Sequence, residues 1–166
     1  IGDMGSPHTT GRKLFDHVTD GVLKWAPMDD HFDRIFLGEN HYDLVAGKAE
    51  YRQALVDAFP QEEAAIDTYL GYLREVRRAM RGHTLKKVLP GWLAGWMAKR
   101  HEKSRPWYFN RTTREVLESI TSNQELIAVL TGQWGDNGLP PARSSFIIHS
   151  LIASHYMYGG YYPVGG

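Results

Sequence analysis

A chain of 166 residues, 42% of them hydrophobic and none of them cysteine, is long enough to bury a core. It excludes a disulfide framework, a thiolate metal site and a cysteine nucleophile. Nineteen Lys and Arg balance nineteen Asp and Glu, so no global field draws the chain to nucleic acid, and no run reaches the ~20 apolar residues of a spanning helix. The expectation is a single domain over residues 1–166, cytoplasmic by default.

The chain begins at Ile1 rather than a methionine, with no leader-like segment. It closes on Tyr161-Tyr162-Pro163-Val164-Gly165-Gly166, an extended stretch meeting two glycines. Both ends read as cuts from a longer protein. From Gly11 to Gly21, Leu14, Phe15 and Val18 suit a short amphipathic helix that packs on the core. Residues 33–37 and 41–45 flank Gly38-Glu39-Asn40 and predict a small antiparallel hairpin. A helix over Lys48 to Ala58 follows, then a second opening at Pro60. In the second, Ile66, Tyr69, Leu70, Leu73, Val76 and Met80 recur at helical spacing. Glu62, Glu63 and Asp67 start that helix and Arg77, Arg78 and Arg81 finish it, in keeping with the helix dipole.

Between His83 and Arg105 six basic side chains stand against Glu102 alone, although the whole chain is neutral. Within this stretch Trp92, Leu93, Trp96 and Met97 form an apolar group with the two tryptophans four residues apart. Tryptophan with flanking lysines suits either a core helix with a basic end or an interfacial helix that dips into lipid headgroups and admits a substrate. Helices are next expected from Thr112 to Ile120 and from Asn123 to Leu130, with Thr112 and Ser122 or Asn123 as caps. A last helix, Ala142 to Met157, is apolar nearly all round and is expected to be buried.

Self-sufficient catalytic motifs are missing: there is no Gly-x-Gly-x-x-Gly, phosphate loop, Gly-x-Ser-x-Gly elbow or His-Glu-x-x-His. Met28-Asp29-Asp30-His31-Phe32-Asp33 offers oxygen and imidazole ligands without calcium-loop spacing or a second cluster, and reads as a turn before a strand. His149 and His155, six apart, turn away from each other on a helix and make a poor metal pair, so no metal is expected. His149 is instead a titratable group inside an apolar helix, either a hydrogen-bonded core residue or a site residue. Two glycine-rich connections stand out: Leu130 to Pro141, containing Gln133, Trp134 and Gly135, and Gly159 to Gly166, containing Tyr161, Tyr162, Pro163, Gly165 and Gly166. Rigid loops of this kind line sites or simply join core elements.

At these segments the chain resembles the flavin-dependent carotenoid isomerase, retinol saturase and phytoene desaturase-like oxidoreductases. The resemblance is ordered. It runs through Ile1-Gly2-Asp3-Met4-Gly5, Trp25-Ala26-Pro27-Met28-Asp29-Asp30, Tyr42-Asp43 with Gly47, Gly132-Gln133-Trp134-Gly135 with Leu139-Pro140-Pro141, and Tyr162-Pro163-Val164-Gly165-Gly166. It implies an α+β, mainly helical substrate domain with a small antiparallel sheet, inserted in a flavin-binding Rossmann-like parent whose two FAD-binding halves lie outside this chain. It further implies FAD in the parent and none retained by this segment alone. The substrate would be an apolar polyene, carotenoid or retinoid, that is saturated, desaturated or isomerised, with peripheral membrane contact and no nucleic acid. Gln133, Trp134, Gly135, His149, Tyr161, Tyr162, Pro163, Gly165 and Gly166 would lie near substrate or cofactor. The alternative is a stand-alone helical binding or membrane-interface module without catalysis, built on Trp92 and Trp96.

Overall fold

A computed structural model of the chain describes residues 4–86 and 106–165, the side chains of 81–86 excepted. The apolar group Trp92, Leu93, Trp96 and Met97 lies outside the described residues. The structure divides into two compact units, Ile1–Gln61 with His155–Gly166, and Glu62–Ser154.

In the first unit, α1 (Thr10–Val18) opens on Thr9, whose hydroxyl accepts from the Arg12 amide, and β1 covers Trp25–Pro27. The hairpin expected from the sequence is present as β2 (His31–Leu37) and β3 (Asn40–Val45), paired antiparallel with Arg34 opposite Asp43. Its turn requires the left-handed backbone of Gly38, at φ 61°. Arg34 grips Asp43 across the strands through both carboxylate oxygens and holds that carboxyl below its usual range. The Asp-rich segment before β2 is indeed a turn: Asp29 accepts the His31 amide at 2.8 Å. Helix α2 (Lys48–Ala58) has the bounds its sequence predicts and packs on β3, burying Tyr51 and Leu55. Phe32 stacks against both Tyr51 and Tyr156, and Tyr42 against Phe59.

A strand that the sequence reading left unassigned completes this unit. β4 (Tyr161–Pro163) pairs antiparallel with β1, Trp25 opposite Pro163 and Pro27 opposite Tyr161. Each strand ends on a proline, which has no amide of its own, and the residues that follow still bond across: the Met28 amide donates to the Gly160 carbonyl and the Val164 amide to the Lys24 carbonyl. Expected to pack on the core, α1 instead buries no residue: Leu14 and Val18 are exposed, while Phe15 makes an edge-on contact with Trp25 and Arg12 donates to the Met4 carbonyl.

The second unit is helical. A single 3-10 turn at Pro60–Glu62 leads into α3 (Glu63–Lys86), which runs a turn beyond Arg81, where the dipole pattern placed its end. Its 24 residues extend about 36 Å. Ile66, Tyr69, Leu73 and Val76 form its buried stripe, with Leu70 and Met80 only half-buried beside it. A 3-10 turn at Trp107–Asn110 buries Tyr108, whose hydroxyl donates to Glu75 at 2.5 Å; desolvation first, and that carboxylate second, push its pKa upward.

Helix α4 (Thr113–Glu118) starts on a complete capping box, in which the Thr112 hydroxyl accepts from the Glu115 amide and the Glu115 carboxylate accepts from the Thr112 amide. Thr112→Ala is expected to cost about 1 kcal/mol, read as a shift in the urea midpoint; no shift would show that tertiary packing alone fixes this end. Asn123 caps α5 (Gln124–Leu130) from one side only, its side-chain oxygen accepting from the Glu125 and Leu126 amides. Between the two helices the Thr121 hydroxyl donates to Glu62, at the head of α3.

The last helix, α6, covers Phe146–Tyr156 rather than beginning at Ala142. Pro140 and Pro141 precede a turn in which the amides of Arg143 and Ser144 both bond to the Pro140 carbonyl, so residues 142–145 are already committed. Its burial also differs from expectation. Phe146, His149, Ser150, Ala153 and Ser154 are the buried residues, while Ile147, Leu151 and Ile152 are half-buried and Ile148 is exposed. Two serines and a histidine therefore share the buried face with Phe146 and Ala153, and Ile148 is the exposed isoleucine. Ser150 is accommodated because its hydroxyl donates to the Phe146 carbonyl at 2.7 Å.

Candidate functional site

The glycine-rich connection after α5 folds as a set of tight turns. Thr131 closes α5 by donating its hydroxyl to the Ile127 carbonyl. A 3-10 turn spans Trp134–Asn137, and Gly138, at φ 72°, reverses the chain toward Pro140. This places Gln133, Trp134 and Asn137 around a small recess that His149 of α6 also lines. The recess offers about 10 Å³ to a water-sized guest, room for a single oxygen atom.

Its walls are graded. The buried members Thr113, Thr131, Ser144 and His149 are polar, with Ala153 among them; farther out stand the exposed Trp134 and the half-buried Pro141 and Ile152, with the two amides Gln133 and Asn137. The hydroxyls of Thr113 and Ser144 lie 2.9 Å apart and bond to each other. Among the described residues no Lys, Arg, Asp or Glu lines the recess.

His149 is the titratable group of this site. Its Nε2 lies 3.0 Å from the Tyr69 hydroxyl, and its ring sits beside those of Tyr69 and Phe146. Burial lowers its pKa to about 4, because a protonated ring would lose its hydration without gaining a counter-charge. It is therefore neutral at physiological pH, and in the tautomer protonated at Nδ1 it accepts the phenol's hydrogen bond at Nε2.

Gly135 sits in the same 3-10 turn, with open space where a side chain would be. Tyr161, Tyr162 and Pro163 form β4 of the first unit, Gly165 follows at φ 98°, and Gly166 lies outside the described residues. Thr113, Thr131 and Ser144 escaped the sequence reading: a small hydroxyl beside a helix end has the signature of a cap and nothing more. A second recess, an open groove of about 640 Å³ between β3 and α2, is lined by His41, Asp43 and Asp57 among others and contains none of the expected site residues. Among the described residues no helix is long and apolar enough to cross a membrane.

Comparison with known proteins decides the kinship. The chain is 36% identical over 174 residues to the all-trans-retinol 13,14-reductase of Danio rerio, an alignment covering all of this chain and 28% of that protein. With the all-trans-retinol 13,14-reductase of Homo sapiens it is 35% identical over 164 residues, covering 94% of this chain and 27% of the human protein. The chain is a homologue of the retinol saturases. It spans little more than a quarter of the length of these relatives. A Danio rerio protein named inactive all-trans-retinol 13,14-reductase is 29% identical over 91% of the chain, so likeness to retinol saturases in this stretch accompanies both kinds of name. No family model and no solved structure matches.

Proposed function

We propose that this segment is the substrate-holding part of an oxidoreductase that saturates a double bond of a retinoid. Homology over nearly the whole chain to proteins named as retinol reductases carries the reading. Those names favour saturation over desaturation or isomerisation, and a retinoid over a carotenoid. Side chains cannot deliver a hydride, so the reaction needs a redox cofactor, which the family resemblance makes a flavin. The described residues do not fit one. Both sheets are two-stranded and antiparallel, and the sequence has no dinucleotide-binding glycine motif, so nothing here builds the strand-turn-helix that seats a pyrophosphate. The contribution of this segment is then to bind, orient and shield the apolar substrate. The uncharged recess at Gln133, Trp134 and His149 supports that role.

The test compares the protein expressed from the longest reading frame containing this segment with the 166-residue piece. A flavin absorption band in the long form alone is expected, together with conversion of all-trans-retinol, under reducing conditions, to a product heavier by two hydrogens. No flavin in either form, or no conversion by a flavin-loaded long form, would overturn the reading. The alternative of a membrane-interface module rests on Trp92 and Trp96, outside the described residues, and no observation favours it.

A further inference from the structure

The recess beside His149 combines features that a structural void does not require. It has room for one oxygen atom; its buried lining residues are Thr113, Thr131, Ser144, His149 and Ala153, and its less buried ones include Trp134, Pro141 and Ile152. From Ile152, which lines it, the outward face of α6 continues one turn back to the exposed Ile148. A polar end for one atom followed by an apolar track matches a long hydrocarbon with a single terminal oxygen.

We infer that this recess seats the hydroxyl oxygen of an apolar alcohol, with the hydrocarbon chain leaving past Trp134 and along the Ile152 and Ile148 face of α6. The inference rests on the proposed function and deepens it by assigning the substrate's polar end to a place. Gln133 and Asn137 are amide-bearing residues of the recess lining, and His149 lines it as a neutral imidazole whose Nε2 faces the Tyr69 hydroxyl. An alcohol both donates and accepts, so it can satisfy such a mixed set of neutral partners. A carboxylate only accepts, and without a cation among the described lining residues its charge would be desolvated uncompensated. Trp134, about half exposed, offers its ring face to the chain as it leaves.

The experiment measures binding rather than turnover, in the complete protein that contains this segment. All-trans-retinol and the same polyene with its hydroxyl replaced by hydrogen are titrated, following quenching of protein fluorescence. The wild type is expected to bind the alcohol at least tenfold more tightly than the hydrocarbon. Asn137→Leu is expected to narrow that ratio to about threefold or less by weakening the alcohol alone, leaving the hydrocarbon unchanged. Gln133→Leu, at a half-buried loop position, repeats the measurement should Asn137→Leu fail to fold, and thermal melts report folding for both. Retinol binding with the full ratio retained in both variants, or equal wild-type affinity for the two ligands, would overturn the seat while leaving the function reading intact. Binding of neither ligand by the wild type would sink the function reading and the seat with it.

Discussion

Replacing Phe146 with alanine is expected to remove about 3–5 kcal/mol from the stability of the second unit, the largest loss we anticipate from a single side chain. Phe146 has no solvent exposure, and its ring meets Tyr108 at 5.6 Å and Tyr72 at 6.2 Å, both nearly edge-on. Tyr108 is itself buried and tied to Glu75, so the aromatic wall is anchored and has little freedom to collapse into the space left behind. Phe146→Leu, which keeps most of the volume, should lose much less. Chemical unfolding of the two variants checks the pair. A loss below about 1 kcal/mol for alanine would mean that the site relaxes and that the ring contacts contribute little.

The second large effect is a pH dependence that belongs to His149. In the unfolded chain its pKa returns to 6.5, whereas in the fold it is about 4. Between these values the unfolded state binds the extra proton, so stability is fully present above about pH 6.5, declines as the pH falls, and levels off below about 4. The span corresponds to about 3 kcal/mol. His149→Gln, which keeps an acceptor for the Tyr69 hydroxyl but cannot titrate, is expected to flatten this segment of the profile. Urea midpoints measured from pH 7.5 down to pH 4 for both proteins decide it. An unchanged slope in the variant would place the titration elsewhere.

Much of the architecture was legible because it is local. The hairpin announces itself by strand-like runs around Gly38, the buried stripe of α3 follows from helical spacing, and Thr112 and Asn123 cap where short polar side chains precede helical periodicity. What sequence did not reveal depends on distant partners. Three residues ending in a proline carry no strand periodicity, so Trp25–Pro27 becomes a strand only because residues 161–163 lie opposite it. The inward serines of α6 looked like interruptions of an apolar surface. They belong to its packed side together with Phe146 and Ala153, since a small hydroxyl that bonds to its own helix, as Ser150 does, can be buried, while Ile148 is left exposed.

The candidate site divides along the same line. Gln133 and Trp134 could be picked out from a glycine-bracketed loop and His149 from its apolar neighbours, and the fold draws all three to one recess. The hydroxyl wall opposite them could not be read, because Thr113, Thr131 and Ser144 come from three places in the chain and each resembles an ordinary helix end.

The pairing of β1 with β4 also bears on the order in which the protein can be made. The first unit is discontinuous in sequence, its two portions separated by the whole of the second. At about 5–20 residues per second, roughly 7 to 28 seconds of synthesis separate Trp25 from its partner Pro163. Residues 62–154 form a continuous stretch that can assemble around α3 from local contacts, while β1 needs residues 161–163 to match its backbone groups. A released chain cut before Tyr161 would thus carry a complete helical insert on an unfinished frame, and a chaperone would find its binding surface on the frame.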